Sequence, residues 1–266
     1  MLERTIGSVV THLPGATISI REHGSDASRL AALREIIGSC PSVVRIDLDP
    51  MNPGFGSGCN ALASASAADW LLFLNPDAEI VRWPWDAVNQ PPSGQVTGPN
   101  MLGEGESARQ SGRSYRVRDE ISRSWLRRPG LRPDGRGFVS GAALLIDRQS
   151  FELVGGFDPG YFMFYEDVDL CLRANDAGVP TYLADDWHVR HAGAHSTRQH
   201  FAESLIWSYE SACRFHASRK SSLTAYRPYV VADSLLRGMM ALIHRDSTAR
   251  RAHLKLAKRV TSDMMT

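Results

Sequence analysis

Residues 157–172 read FDPGYFMFYEDVDLCL, and this stretch says the most about how the chain folds and works. Three carboxylates, Glu166, Asp167 and Asp169, lie within four positions between an aromatic run and an apolar run. A buried carboxylate needs a hydrogen-bond donor, a cation or a proton, so such clusters often mark catalytic or metal sites. The alternative is a helix N-terminus, where acidic side chains favour the positive end of the helix dipole.

The segments around that stretch predict an α/β fold. Short apolar strands alternate with helices, which is typical of a mostly parallel sheet with helices on both faces. The predicted strands are 16–20, 43–48, 70–74, 138–146 and 181–183. The predicted helices are 2–10, 26–37, 58–68, 150–154, 166–177, 201–219 and 228–244. The arginine-rich residues 103–137 are predicted to form a surface segment with little regular structure.

The overall composition is that of an ordinary soluble globular chain. It is 43% hydrophobic and 22% charged, and the net charge of +1 gives no global case for binding nucleic acid. Basic residues dominate beyond residue 210, which suits an anionic membrane surface, a pyrophosphate-bearing substrate or merely a solvated helix face. The amphipathic helix 228–244 either packs against the main domain or docks on a membrane interface.

Cysteine usage and the absence of targeting patterns predict a cytoplasmic protein. The four cysteines are scattered without CxxC spacing, which fits reduced buried thiols better than disulfides or a zinc site. The N-terminus shows no signal-peptide pattern, and no apolar run is long enough to span a bilayer. Peripheral contact with the inner face of the cell membrane stays an open alternative.

Three polar motifs are individually ambiguous. Strand 70–74 stops at Asn75-Pro76-Asp77, where an acid after a strand can hold a divalent metal or simply form a turn. The glycine loop 52–58 precedes a helix and could offer amides to an anion, but its spacing matches no standard phosphate loop. His188, His191 and His195 form either a zinc site or an ordinary loop.

Together these motifs resemble the family 2 inverting glycosyltransferases of GT-A fold, especially the bacterial branch that includes rhamnosyl- and galactofuranosyltransferases. The resemblance spans roughly residues 1–200, and its GGFD…EDVDL block is the most specific part. The matching pieces are Glu22-His23-Gly24-Ser25-Asp26, Asn52-x-Gly54-Phe55 with Asn60, Leu74-Asn75-Pro76-Asp77, Gly141-Ala142-Ala143-Leu144-Leu145, Gly155-Gly156-Phe157-Asp158, Phe162 to Leu170, and His191 before Ser196.

The resemblance implies a division of labour among the acidic residues. Asp77 and Asn75 fill the family's DxD-type motif, so Asp77 would hold Mg²⁺ or Mn²⁺ on the donor diphosphate. His191 matches a histidine that completes the metal shell. Asp167 matches the general base that deprotonates the acceptor hydroxyl, with Glu166 beside it in the catalytic site.

The resemblance also implies binding residues. Asp169 and Tyr165 would bind the acceptor, which would be a glycan or a polyprenyl-linked glycan. A dTDP- or UDP-sugar is the implied donor. Its predicted binding residues are Glu22, Gly24, Asn52, Gly54, Asn60 and Asn75.

The chain departs from the family at two places. Relatives begin with a hydrophobic strand that ends in a Thr-Tyr-Asn-like turn, whereas residues 2–10 here read as the following helix. A missing central strand would leave an unpaired sheet edge. The second departure is Glu22-His23, where Asp-Asn or Asp-Asp is usual.

The sequence therefore predicts a metal-dependent inverting glycosyltransferase of cell-surface polysaccharide synthesis. Residues 1–200 would form a GT-A domain, and residues 201–266 a basic helical extension. The alternatives are a catalytically degenerate glycosyltransferase-like scaffold, motivated by the two departures, and a nucleotidyltransferase. The EDVDL block and the lack of a basic glycine-rich phosphate loop argue against the nucleotidyltransferase.

Overall fold

A computed structural model describes residues 1–24, 26–38, 44–86, 88–103, 111–112, 135–191, 200–219 and 223–265. The chain divides into two compact units. Unit 1 comprises Met1–Ser114, Gly130–Gly160 and Glu166–Gly193, and unit 2 comprises Tyr115–Pro129, Tyr161–Tyr165 and Ala194–Thr266. Most of the predicted arginine-rich segment, together with Ser25, Cys40, His195 and Ser196, lies outside the described residues.

Unit 1 is an α/β structure, which confirms the predicted fold class. Its strands are β1 (Ile18–Glu22), β2 (Val44–Leu48), β3 (Trp70–Leu74), β4 (Ala78–Arg82), β5 (Val96–Leu102), β6 (Ser111–Gly112), β7 (Phe138–Val139), β8 (Ala143–Asp147) and β9 (Thr181–His191). Its helices are α1 (Leu2–His12), α2 (Ala27–Gly38), α3 (Phe55–Ser64), α4 (Arg148–Val154) and α5 (Glu166–Asp176).

The sheet is mixed, so the expectation of a mostly parallel sheet is wrong. A five-stranded sheet runs in the order β3-β8-β5-β9-β4. Only β5 and β9 pair parallel in it, while β3–β8, β5–β8 and β4–β9 pair antiparallel. Strand–helix alternation holds as far as β3. Beyond residue 75 most strands follow turns or loops, which do not impose the parallel direction that a crossover helix does.

Strands β1 and β2 form a separate parallel pair among the described residues. The pairing aligns Glu22 with Leu48, so the segments that follow the two strands start side by side. Helix α3 begins after the second of these segments. The carboxyl ends of parallel strands and a helix N-terminus therefore share one edge of unit 1.

The core of unit 1 lies around β8 and the end of β9. All five residues of β8 are buried, and Trp187 and Val189 of β9 are fully buried. Helix α1 packs along β4: the Thr5 hydroxyl donates to Pro76 O at 2.9 Å, and Ile80 N donates to Ser8 Oγ at 3.0 Å. The edge of β4 is thus covered, and the turn that carries Asp77 is fastened to α1.

The described part of unit 2 contains three helices, α6 (Phe201–Ser218), α7 (Leu223–Ile243) and α8 (Ser247–Met265). Residues 161–165 lie against α6: the rings of Phe162 and Trp207 are 4.9 Å apart, and the Ser211 hydroxyl donates to Met163 O at 2.8 Å. Within the described part of the chain, none of the helices has the length and apolar character needed to cross a membrane.

Candidate active site

Two acidic clusters of unit 1 converge on one turn, residues 140–142, between β7 and β8. Gly141 N donates to Asp167 Oδ2 at 2.8 Å. The next residue, Ala142, accepts a hydrogen bond from Asn75 N at 2.9 Å. The turn therefore joins the start of α5, which carries Asp167, to the Asn75-Pro76-Asp77 turn that follows β3.

Asp167 is held in place by backbone donors. Its Oδ1 accepts from Val168 N at 2.8 Å, in addition to the bond from Gly141. Burial raises the pKa of Asp167, and these hydrogen bonds act in the opposite direction. A Cβ at Gly141 would lie 3.2 Å from the Phe55 ring and 3.3 Å from Asp167 Cβ, so glycine permits this close approach.

Glu166 is a buried carboxyl group with an unmet hydrogen-bonding need. Its Oε2 has no hydrogen-bond partner within the ranges that the structure describes. Burial, and secondarily the charge of Asp167, raises the pKa of Glu166 to about 8. Gly56 of α3 lies close by, since a Cβ there would be 3.5 Å from Glu166 Cβ and 2.8 Å from Phe157 Cβ.

Asp77, two residues beyond the Asn75 N–H that donates to Ala142 O, lies in contact with His191. Asp77 Oδ1 lies 3.0 Å from His191 Nε2, and Asn75 Nδ2 lies 3.4 Å from the same nitrogen. Ala78 pairs with His191 in the β4–β9 register, which explains why residues so distant in sequence meet. Sequence reasoning proposed both as metal ligands, and the structure brings them together.

The set of possible ligands fits a metal ion that is shared with a substrate. No cluster of three or more His, Cys, Asp or Glu side chains suited to a metal occurs among the described residues. Mg²⁺ and similar ions commonly bind one or two protein side chains and take their remaining ligands from substrate phosphates and water. The alternative of a three-histidine zinc site gains no support from the described residues, because His188 and His191 are three apart in β9 and so face opposite sides.

The predicted nucleotide-binding residues gather at the ends of β1 and β2. Gly24 has φ +75°, and a Cβ there would lie 3.6 Å from Pro50 O. Asn52 has φ +40°, and its Oδ1 accepts from Gly54 N at 3.4 Å. Gly54, with φ +97°, is the N-cap of α3. Glu22 ends β1 beside this loop, so four of the six predicted residues lie in two adjoining segments.

Asn60 has a different environment from the one that sequence reasoning assumed. Its Nδ2 donates to Phe157 O at 2.8 Å, and its Oδ1 accepts from Phe157 N at 2.9 Å. The side chain thus fastens α3 to the Gly155-Gly156-Phe157 turn. Its contact with nucleotide stays a prediction.

Asp169 and Tyr165 were predicted to bind the acceptor, and the structure shows each in contact with another side chain of the protein. Asp169 pairs with Arg173 at 2.7 Å, and Arg173 also donates to Val154 O at 2.7 Å and Gly156 O at 2.8 Å. Tyr165 is buried in unit 2, with its ring 5.5 Å from that of Phe215. Their acceptor-binding roles stay predictions.

Sequence reasoning missed a charged network beside Glu22. Arg21 forms ion pairs with Asp47 and Asp49, and its hydrogen bond lowers the pKa of Asp49. His23 Nδ1 lies 3.3 Å from Asp49 O, and a Cβ at Gly58 would lie 3.0 Å from His23 Nε2. The pair Asp47-x-Asp49 at the end of a strand was the feature of the sequence that could have predicted this network.

Two known proteins that are similar in sequence to this chain are rhamnosyltransferases. An N-acetylglucosaminyl-diphospho-decaprenol L-rhamnosyltransferase of Mycobacterium tuberculosis (strain ATCC 25618 / H37Rv) is 32% identical over an alignment of 176 residues that covers 58% of this chain and 56% of that protein. Rhamnosyltransferase WbbL of Escherichia coli (strain K12) is 37% identical over 83 residues, 31% of each chain. The chain thus spans about half the length of the first relative and about a third of the second. No family model matches the chain.

Solved structures with a similar fold are also glycosyltransferases. GalNAc-T7 with UDP, GalNAc and Mn²⁺ has a TM-score of 0.56 at 18% identity, covering 70% of this chain and 40% of that one. Mannosyltransferase PcManGT from Pyrobaculum calidifontis, in complex with GDP-Man and Mn²⁺, has a TM-score of 0.51 at 15% identity, covering 98% and 83%. The fold is therefore the GT-A glycosyltransferase fold, and the predicted resemblance to family 2 glycosyltransferases is confirmed.

Proposed function

We propose that the chain is a metal-dependent inverting glycosyltransferase that moves a sugar from a nucleotide diphosphate to a polyprenyl-linked glycan. The observation that carries the proposal is the turn 140–142. It bonds to Asp167 on one side and to the Asn75-Pro76-Asp77 segment on the other. This hydrogen-bonded turn thus connects the partly buried Asp167 carboxylate to the segment that carries the Asp77–His191 pair.

The Asp77–His191 pair is the proposed donor end of the site. The two side chains would hold Mg²⁺ or Mn²⁺, which neutralises negative charge as the diphosphate leaves. The imidazole nitrogen favours Mn²⁺ over Mg²⁺, because nitrogen ligands suit transition metals. The amides of the first turn of α3, beginning at Phe55, are suited to bind phosphate oxygens.

Asp167 is the proposed general base. In an inverting transfer the acceptor oxygen bonds to the anomeric carbon as the bond to the leaving diphosphate breaks, and the hydroxyl proton passes to the base. A pKa raised by burial brings Asp167 closer to working pH and makes it a better proton acceptor. The bonds from Gly141 and Val168 keep its carboxylate oriented.

The acceptor assignment is supported by the named relative. The mycobacterial rhamnosyltransferase has a decaprenol-linked acceptor in its name, and the match covers 58% of this chain. A dTDP- or UDP-sugar is the proposed donor, and the proposed role is cell-surface polysaccharide synthesis. The enzyme would work in the cytoplasm, in peripheral contact with the inner face of the membrane.

Donor binding is tested first, by thermal unfolding with UDP, dTDP and GDP, each with and without Mn²⁺. We expect one nucleotide to raise the melting temperature only with the metal, and Asp77→Ala to lose that shift. Glu79→Ala, which removes an exposed partner of Arg190, is the matched control and should keep it. A flat response of the wild-type chain to every nucleotide would instead favour a non-catalytic scaffold.

The proposed role of Asp167 as general base is tested with the same purified protein. The measurement is the rate of sugar transfer from a labelled donor to a polyprenyl-linked acceptor. Asp167→Asn should keep the nucleotide-dependent shift but lose about 100-fold or more in transfer rate, the usual contribution of a general base. Asp176→Asn, at the opposite end of α5, should transfer normally. Near-normal turnover by Asp167→Asn would refute the assignment.

A further inference from the structure

Helix α7 exposes an unusual number of large apolar side chains. Met239 is 63% exposed, Leu242 55% and Ile243 75%. We call this patch the α7 apolar surface. Its members are Leu235, Leu236, Met239, Met240, Leu242 and Ile243.

The α7 apolar surface points away from the packing interface of its own helix. The buried residues Ser234, Gly238 and Ala241 form the inner stripe, and a Cβ at Gly238 would lie 3.8 Å from His253 Cβ of α8. At about 100° per residue, the six apolar residues cover about 160° of the opposite side. A helix that is apolar on its inner and outer sides is typical of one that has a second partner.

The residues that follow this surface along the chain carry positive charge. Arg245, Arg250, Arg251 and Lys258 are exposed in the α7–α8 turn and in α8. The one acid among them, Asp246, accepts hydrogen bonds from Thr248 N and Ala249 N at the start of α8. An apolar helix surface followed in the chain by exposed basic residues is suited to a lipid interface with anionic headgroups.

We infer that the α7 apolar surface docks the protein peripherally on an anionic phospholipid membrane, with α7 lying in the interface and the α7–α8 basic residues on the headgroups. A second copy of the chain is the competing occupant. It fits less well, because it would bring the same positive charges to the contact, whereas an anionic bilayer supplies the opposite charge.

The inference deepens the proposed function and rests on it, because a lipid-linked acceptor would be presented at a membrane. Its test is kept separate, because lipid binding is measured with neither donor nor acceptor present. A failure of docking and a failure of sugar transfer therefore give different results.

The experiment is co-sedimentation of the full chain with vesicles of phosphatidylcholine alone, or of phosphatidylcholine and phosphatidylglycerol in equal parts. The test variant is Met239→Gln/Ile243→Gln. The matched control is Val88→Gln/Leu153→Gln, which replaces two side chains that are 94% and 66% exposed elsewhere. Circular dichroism and thermal unfolding verify that each variant is folded, and Leu242→Gln replaces the test variant if it is not.

We expect the wild-type chain to bind the anionic vesicles, and the test variant to bind at least about tenfold more weakly while the control is unchanged. Arg250→Gln/Arg251→Gln should reduce the preference for anionic over neutral vesicles. Absence of wild-type binding, or equal loss in the control, would overturn the inference. A lipid-independent dimer that Met239→Gln/Ile243→Gln converts to monomer would assign the surface to a second copy.

Discussion

Glu166 shows how folding changes the chemistry of a single side chain. The pKa of this carboxyl group rises from an ordinary value of 4.5 to about 8, because burial disfavours its charged form and Asp167 adds a second negative charge. The folded chain therefore binds a proton at neutral pH that the unfolded chain has released. Stability from this group is complete below about pH 4.5 and is lost as the pH rises toward 8.

We expect Glu166→Gln to remove that loss, because the amide resembles the protonated acid and carries no charge. Its melting temperature should match that of the wild-type chain near pH 5 and exceed it by a few degrees near pH 8.5. Thermal unfolding across this range is the measurement. An identical pH profile in the two proteins would show that Glu166 is ionised and solvated in the folded chain.

A neutral Glu166 also affects Asp167, the proposed base. If both carboxyls were charged, their repulsion would raise the pKa of Asp167 and leave it protonated over more of the working range. A proton on Glu166 removes that repulsion, and because the pKa values of both carboxyls are raised, the two groups titrate as a linked pair.

Helix α3 depends on small residues to reach the site. A Cβ at Gly56 would lie 2.8 Å from Phe157 Cβ, which is closer than side chains tolerate. Asn60, one turn further along, clamps the same Phe157 backbone through two hydrogen bonds. The helix and the turn before α5 are therefore fitted to each other without space for adjustment.

We expect Gly56→Ala to lower the free energy of unfolding by about 1–3 kcal/mol through overpacking. Gly7→Ala in α1 is the matched control. A Cβ there meets nothing within 4 Å, so it should stabilise the chain by about 0.5–1 kcal/mol through helix propensity alone. Urea unfolding of both variants makes the comparison. If the two changes had the same sign, close packing at Gly56 would not be what constrains α3.

Local patterns predicted the early helices and strands well, because their apolar runs are bounded by clear turn residues. Strand β3 was predicted as residues 70–74, which are its bounds, and α6 within one residue of its end. Strand β5 was missed because Gly98 and Pro99 interrupt it, yet it is paired by β8 and β9 on either side. Helix α8 was missed because its surface is mostly basic and its apolar residues face α6 and α7.

The acidic motifs were found in the sequence, but their connection was not. Nothing in Asn75-Pro76-Asp77 indicates a bond to Ala142, and Gly141 carries no side chain that would mark it. The prediction of one strand over 138–146 concealed the turn at 140–142 that links the two clusters. Long-range hydrogen bonds of this kind are set by sheet register, which the chain does not display locally.

The acidic motifs and the apolar and basic residues described above lie in different units of the chain. Unit 1 carries the acidic motifs Asn75-Pro76-Asp77 and Glu166-Asp167, whereas the described helices of unit 2 carry the α7 apolar surface and the basic residues beside it. The net charge of +1 conceals this separation. An enzyme with a membrane-bound acceptor needs both a catalytic unit and a means of staying at the surface where that acceptor lies.

That division predicts which kinetic parameter each unit controls. Met239→Gln/Ile243→Gln should raise the apparent KM for a polyprenyl-linked acceptor in anionic vesicles by about tenfold, because docking raises the local enzyme concentration. The kcat should be unchanged, and so should both constants for a short-chain, water-soluble form of the same acceptor, since the proposed catalytic residues belong to unit 1. Steady-state assays with the two acceptors separate these effects. Equal losses with both acceptors would show that the α7 apolar surface supports catalysis itself rather than access to the membrane.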